Sequence, residues 1–156
     1  MPFLEKYEKD IIQWLIEETV SFVIVGGLAM KAHGIERERR DLDLLVLDTE
    51  QNKKKLLDAI GHRWPLKANK EAEFLKPLGM WRQAADPPFR GFDFAAELAG
   101  LDTRTAIKEA IWIEVDGLNM PILSVPSLIK NKMSLGTDAQ QKDLDDLAAL
   151  KSFVAK

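Results

Sequence analysis

Near the start of the chain, the spacing of apolar residues changes from a helical pattern to a strand pattern. Phe22–Val25 is a short, mostly β-branched run that predicts a buried strand, and Gly26-Gly27 directly after it predicts a tight turn. A short helix is predicted over Leu28–His33, ending at Gly34. Before the strand, apolar residues recur at helical spacing and predict an amphipathic opening helix; they are Leu4, Tyr7, Ile11, Trp14 and Leu15.

A second strand and a second pattern of helical type follow. Asp41–Leu47 alternates at its start and becomes wholly apolar, which is typical of a central strand. Asp48, with Gln51 three residues later, predicts the N-cap of a helix through Lys53–Ile60. Residues 62–90 follow no clear period, because four prolines interrupt them.

The second half of the chain begins with strand patterns. Aromatic and small residues alternate over Phe92–Glu97 and predict one strand. Ala110–Val115 and Leu118–Leu123 flank Asp116-Gly117, a dipeptide that suits the positive dihedral angles of a two-residue turn. We therefore expect a β-hairpin here.

Two helices are predicted to close the chain. Pro126 suits the first turn of one helix and Gly136 suits its end, whereas Thr137 and Gln140 match the capping box of the last helix. The order of elements predicts an α+β (α/β) fold, a mixed β-sheet flanked by helices with C-terminal helices, in a single domain over residues 1–156.

Composition narrows the classes of function. The chain has 156 residues, a net charge of −3 and no cysteine, which excludes disulfide frameworks, cysteine-based zinc sites and thiol catalysis. Its slight acidity argues against coating of nucleic acid. We expect a cytoplasmic protein without a membrane partner, because no apolar stretch approaches the ~20 residues of a membrane span and the N-terminus lacks a signal-peptide pattern.

The candidate chemistry lies in Asp41-Leu42-Asp43. Side chains two apart on a strand share a face, so Asp41 and Asp43 would present two carboxylates roughly 6.6 Å apart at the backbone. Carboxylate oxygens suit Mg²⁺, or Mn²⁺, which substrate phosphates usually complete. Asp93, on a later predicted strand, is the third candidate metal ligand. Metal ions held by these carboxylates would support phosphoryl or nucleotidyl transfer.

Gly26 and Gly27 provide a candidate phosphate-binding turn. A backbone without Cβ atoms can approach a phosphate closely, and the N-terminus of the following helix offers unpaired N–H groups. The turn and the carboxylates therefore predict the same substrate, one that carries phosphate groups.

The stretch FVIVGGLAMKAHGIERERRDLDLLV resembles the signature of the nucleotidyltransferase superfamily, which has the DNA polymerase β-like fold. The resembling branch contains AbiEii-type toxins of toxin–antitoxin systems and minimal nucleotidyltransferases. The family pattern is a Gly-Gly or Gly-Ser pair, a short helix, Asp-x-Asp and a later acidic residue; these fall on Gly26, Gly27, Asp41, Asp43 and Asp93. VPSLIKNKMSLGTDAQQKDLDDLAAL resembles the closing helices of the family, whose Lys-Asp pair falls on Lys142 and Asp143 and whose further Asp falls on Asp146.

The resemblance implies a nucleotidyltransferase that transfers a nucleoside monophosphate from a nucleoside triphosphate to a hydroxyl acceptor, with catalytic Asp41, Asp43 and Asp93. Substrate or phosphate binding is expected at Arg39 and Lys142. Arg39 stands where relatives commonly carry threonine, and no arginine precedes Lys142. RNA and protein are candidate acceptors, and a second copy of the chain or a partner subunit is a candidate for supplying the acceptor surface.

Structural explanations compete with these roles. Gly26-Gly27 suits a plain turn, Asp41 and Asp43 suit capping or solvated positions, and Glu97 competes with Asp93 for the third carboxylate. Arg37, Arg39 and Arg40 form either a solvated loop or a basic edge beside the site, and Lys142 suits a surface helix face. The functional alternative is an inactive nucleotidyltransferase-fold module that binds a nucleotide or a partner.

Overall fold

Helices and strands are described here for residues 3–38, 42–61, 80–83 and 92–156 of a computed structural model. The helices in these ranges are α1 (Lys6–Glu17), α2 (Gly26–Ala32), α3 (Glu50–Gly61), α4 (Thr103–Lys108), α5 (Val125–Ser134) and α6 (Gln141–Ala155). The strands are β1 (Phe22–Val25), β2 (Leu42–Val46), β3 (Met80–Gln83), β4 (Phe92–Ala95), β5 (Ile111–Val115) and β6 (Leu118–Ile122). None of the helices in the described ranges is long and apolar enough to cross a membrane.

The strands form one mixed sheet in the order β3-β4-β2-β1-β6-β5. β1 pairs antiparallel with β2 and parallel with β6, and β2 pairs parallel with β4. The outer pairs, β3 with β4 and β5 with β6, are antiparallel. The expected α+β fold, a mixed sheet flanked by helices with C-terminal helices, is therefore confirmed.

The core is centred on β1 and its neighbours. All four residues of Phe22–Val25 are buried, so both faces of this strand are covered. α1 packs on α3 and also contacts β6, with Ile11 and Leu15 almost fully buried. Phe94 of β4 is the largest fully buried side chain among the described residues. The apolar stripe of α1 and the β-branched run of β1 thus meet in one core, as their patterns predict.

The predicted hairpin is confirmed together with its turn. β5 pairs with β6, with Val115 opposite Leu118. Asp116 has φ 51° and Gly117 has φ 84°, the two positive dihedral angles that a two-residue turn of this kind requires.

Two predicted caps are wrong. α3 begins at Glu50, and Thr49 replaces Asp48 as its cap, because Thr49 Oγ1 accepts a hydrogen bond from Asn52 N at 3.1 Å. The carboxylate of Asp48 instead lies 3.4 Å from the buried ammonium of Lys53.

The last helix also begins differently from its prediction. The capping box of α6 joins Gln140 to Asp143, with Gln140 N donating to Asp143 Oδ2 at 2.9 Å. Thr137 lies earlier, in the short 3₁₀ turn Gly136–Asp138. Helix α4 was not predicted, although its N-cap, Asp102, accepts a hydrogen bond from Thr105 N at 3.0 Å.

Candidate active site

Two of the predicted carboxylates lie side by side on neighbouring strands. Asp43 of β2 and Asp93 of β4 are register partners in a parallel pair. Partners in such a pair point to the same face, on strands about 4.8 Å apart. Both residues are partly buried and both line one cavity. The structure therefore brings together two carboxylates that are 50 residues apart in the sequence.

Gly26 lies directly against one of these carboxylates. Its backbone has φ +70°, and a Cβ atom built at this position would lie 2.5 Å from Asp43 Oδ2. Val25, the residue before it, is the register partner of Asp43 across β1 and β2. Glycine is needed here for two reasons, the left-handed backbone and the close approach of the carboxylate. Gly27 follows, buried in the first turn of α2.

The cavity beside these residues has a volume of about 240 Å³ and two kinds of wall. Its polar side chains come from Asp43 and Asp93 on the sheet and from Asn131 and Lys132 on α5. The remaining described lining is apolar apart from Gly26, and consists of Val25, Met30, Leu44, Ala95, Leu98, Leu123 and Leu128. Such a cavity can accommodate a ligand that has both charged groups and an apolar ring.

Lys132 is the lysine among the described residues that line this cavity. Its ammonium donates to Asp143 Oδ1 at 2.7 Å and lies 3.3 Å from Asp146 Oδ2. Two carboxylates of α6 thus fix the position of a positive charge in the α5 part of the cavity lining. Lys142, the predicted phosphate-binding lysine, is exposed on α6 and is not among the described cavity residues.

Arg37, in the loop that precedes β2, is hydrogen-bonded to the same helix, α6. Its Nε and Nη2 donate to the two carboxylate oxygens of Asp146, at 2.6 and 3.2 Å. Its Nη1 donates to the backbone carbonyl of Glu38. The hydrogen bond to Asp146 raises the pKa of Arg37, and the negative charges of Asp143 and Asp43 contribute further. Arg37 is therefore within electrostatic reach of the candidate site as well as of α6.

Asp143 and Asp146 are buried charges that are held by hydrogen bonds. Their residues are 9% and 4% exposed. Burial raises the pKa of Asp143, but hydrogen bonds from Lys132 and from Gln140 N outweigh it, so the pKa lies below its usual value. We call Arg37, Lys132, Asp143 and Asp146 the charge network. It joins the loop before β2 to both C-terminal helices.

The other predicted residues have different positions. Asp41 and Arg39 lie outside the described residues, so their roles stay predictions. Glu97, the competitor of Asp93, is exposed and borders a separate hollow. His33, just after α2, is held by a hydrogen bond, with its Nε2 2.8 Å from the carbonyl oxygen of Leu123.

The described carboxylates fit the predicted metal in kind. Asp43 and Asp93 present hard oxygen ligands to one cavity, which is what Mg²⁺ requires of a protein site that substrate phosphates complete. Among residues 3–38, 42–61, 80–83 and 92–156, no group of three or more His, Asp or Glu side chains is arranged to hold a metal ion. The predicted third ligand, Asp41, is outside these ranges.

Lys132 was missed by the sequence reasoning, although a signal for it exists. It follows the buried, cavity-lining Leu128 by four residues, so both lie on the same face of α5. A lysine on the apolar face of a helix must find an anionic partner or a ligand. The partners Asp143 and Asp146 are on the next helix, where helical spacing within α5 cannot identify them.

Comparison of the chain with models of known protein families and with curated proteins finds no match. A functional proposal therefore depends on the residues themselves and on their arrangement.

Proposed function

We propose that this chain is a metal-dependent nucleotidyltransferase that transfers a nucleoside monophosphate from a nucleoside triphosphate to a hydroxyl acceptor. The observation that carries the proposal is the register pairing of Asp43 with Asp93 in a cavity that Lys132 of α5 also lines. Carboxylates and an ammonium in one cavity match a metal-bound polyphosphate.

Asp43 and Asp93, with Asp41 as the predicted third ligand, would hold the metal. When bound, Mg²⁺ would offset the negative charge of the phosphates and would stabilise the negative charge on the attacking oxygen and on the leaving pyrophosphate. Gly26 leaves space for the Asp43 carboxylate, so this ligand can lie against the end of β1. The chain's contribution to metal binding is thus the placement of two carboxylates on one face of the sheet.

In the proposed reaction, the acceptor hydroxyl oxygen forms a bond to the α-phosphorus. The bond from that phosphorus to the bridging oxygen breaks, and pyrophosphate leaves. Asp93 accepts the hydroxyl proton, because a carboxylate beside the reacting oxygen can act as a general base. Lys132 binds the leaving pyrophosphate, and its position is fixed in advance by Asp143 and Asp146.

The resemblance to the nucleotidyltransferase superfamily supports the same proposal. The glycine pair of the family pattern lies where β1 ends, and Asp43 of its Asp-x-Asp motif lies where β2 begins. Asp93 lies on β4, the neighbour of β2 in the sheet. The inactive binding module is the competing function, and it requires no convergence of carboxylates. Convergence of Asp43 and Asp93 therefore favours the enzyme.

The test is transfer from each of the four labelled ribonucleoside triphosphates, with Mg²⁺ or Mn²⁺, to a total RNA and protein extract. Asp43→Asn and Asp93→Asn keep the side-chain shape and remove the charge, so each should abolish labelling. Asp138→Asn is the matched control, because Asp138 is exposed in the turn before α6. Label in RNA or in protein with the wild type and with Asp138→Asn would support the proposal and identify the acceptor class.

Two other results would count against it. Metal-dependent binding of a nucleoside triphosphate without any transfer would favour the binding module. Equal labelling by the wild type, Asp43→Asn and Asp93→Asn would remove the carboxylates from the mechanism.

A further inference from the structure

The cavity carries one uncharged polar side chain among its described lining. Asp43, Asp93 and Lys132 are charged and suit a metal ion and phosphates, whereas Asn131 suits a neutral hydrogen-bonding group. On the proposed function, the neutral polar part of the ligand that lies beyond the ribose is the nucleobase. Asn131 is therefore the described residue best suited to distinguish one base from another.

The orientation of the Asn131 amide is fixed by a neighbour. Its Nδ2 donates to the backbone carbonyl of Ala99 at 3.0 Å. Since a carbonyl accepts only from the NH₂ end of an amide, this contact sets which end is which. The Oδ1 atom remains as a hydrogen-bond acceptor, with no partner among the described residues.

The wall that holds this amide is built by close packing. Gly100, next to Ala99, has φ +77°, and a Cβ atom at this position would overlap Ser134 Oγ. Ser134 Oγ in turn donates to the backbone carbonyl of Lys130 at 2.7 Å. The loop after β4 therefore lies directly on α5, and Asn131 is presented from a packed surface.

We propose that Asn131 Oδ1 accepts a hydrogen bond from the exocyclic amino group of the substrate base. This inference rests on the proposed function and names its substrate class: ATP and CTP, whose bases carry an amino group where hypoxanthine and uracil carry a carbonyl oxygen. Apolar cavity residues such as Met30, Leu98 and Leu128 contact the faces of the base, which carry no hydrogen-bonding groups. Replacing the amino group by a carbonyl oxygen would place two hydrogen-bond acceptors, that oxygen and Asn131 Oδ1, opposite each other. The hydrogen bond would then be lost.

The experiment compares bases that differ at the amino group. Dissociation constants with Mg²⁺ are measured by calorimetry for ATP against ITP and for CTP against UTP. In the pair that contains the tighter ligand, the wild type should favour the amino base by about five- to tenfold, the effect of one buried hydrogen bond. Asn131→Ala should reduce that ratio to below about twofold. Asn119→Ala, on the exposed side of β6, is the matched control and should keep it.

The ratio separates base recognition from a structural effect. If Asn131→Ala only loosened the Ala99 loop, all four ligands would weaken together and the ratio would not change, which would overturn the inference. Equal affinities of the wild type within both pairs would overturn it without any variant. If the wild type binds both members of each pair equally but still transfers label, the inference about Asn131 fails and the proposed function stands. If no nucleoside triphosphate binds, both the inference and the proposed function fail.

Discussion

The carboxylate of Asp43 occupies the space that a side chain on Gly26 would need. The distance from Asp43 Oδ2 to the ideal Cβ position on Gly26 is 2.5 Å. The end of β1 and the start of β2 are therefore in contact through a glycine backbone and a candidate metal ligand. A substitution at either residue should therefore displace the other.

Gly26→Ala should abolish nucleotidyl transfer and lower the unfolding free energy by about 2 kcal/mol or more. The left-handed backbone alone costs about 1–2 kcal/mol for a residue with a Cβ atom, and the clash with Asp43 adds to it. Denaturant unfolding and the transfer assay measure the two effects. Gly34→Ala is the control, because Gly34 has φ +92° and nothing within 4 Å of its Cβ position. The same effect of both variants on transfer would contradict the role of the clash.

Lys132→Gln should weaken binding of the nucleoside triphosphate by about 10- to 100-fold, the range for a charge-assisted hydrogen bond. Lys142→Gln should change it by less than about twofold, because an exposed lysine away from the cavity contributes only long-range attraction. Titration of both variants with the same triphosphate gives the comparison. A larger effect of Lys142→Gln would support the phosphate-binding role that the resemblance implies for Lys142 and would contradict the role of Lys132.

Arg37 and Asp146 should be energetically coupled. In a double-mutant cycle with Arg37→Gln and Asp146→Asn, we expect a coupling energy of about 1–3 kcal/mol, since Asp146 is buried and the contact is bidentate. The exposed pair Lys6–Asp10, 3.5 Å apart, should give less than about 0.5 kcal/mol. Additive effects of the Arg37 and Asp146 substitutions on unfolding would show that the ion pair contributes no stability.

Asp143 should make the fold sensitive to acid. Its pKa is lowered from the ordinary value of 3.8, so its contribution to stability is complete above that value. The contribution declines as the pH falls below 3.8 and is lost once the pH is below the folded-state pKa. The stability difference between the wild type and Asp143→Asn should therefore shrink as unfolding is measured from pH 7 to pH 3. A constant difference would contradict the hydrogen-bonded carboxylate.

Local patterns predicted the local structure well. The buried strand Phe22–Val25 and the Asp116-Gly117 hairpin each depend on neighbouring residues, and the structure confirms both. The caps were harder, because several polar residues stand together before each helix. Thr49 caps α3 although Asp48 is equally suitable by residue type; Asp48 pairs with Lys53 instead.

Contacts between distant segments could not be predicted. The ion pair of Arg37 with Asp146 joins residues 109 positions apart, and no periodicity within either segment connects them. The role of Lys142 came from the resemblance of the closing helices and stays a prediction, whereas the contacts of Lys132 with α6 follow no local pattern. The pairing of Asp43 with Asp93 was partly predictable, because both belong to strands, but their register depends on the strand order of the whole sheet.

That strand order has a consequence for synthesis of the protein. β1 lies between β2 and β6 in the sheet, and Ile24 pairs with Ile122. As the chain leaves the ribosome, β1 and β2 emerge well before β6. The second edge of β1 therefore stays uncovered until almost a hundred further residues have been made. Lys132 and Asp146 emerge later still. A growing chain therefore carries Asp43 long before Lys132, and the cavity that both residues line cannot form until α5 has been synthesised.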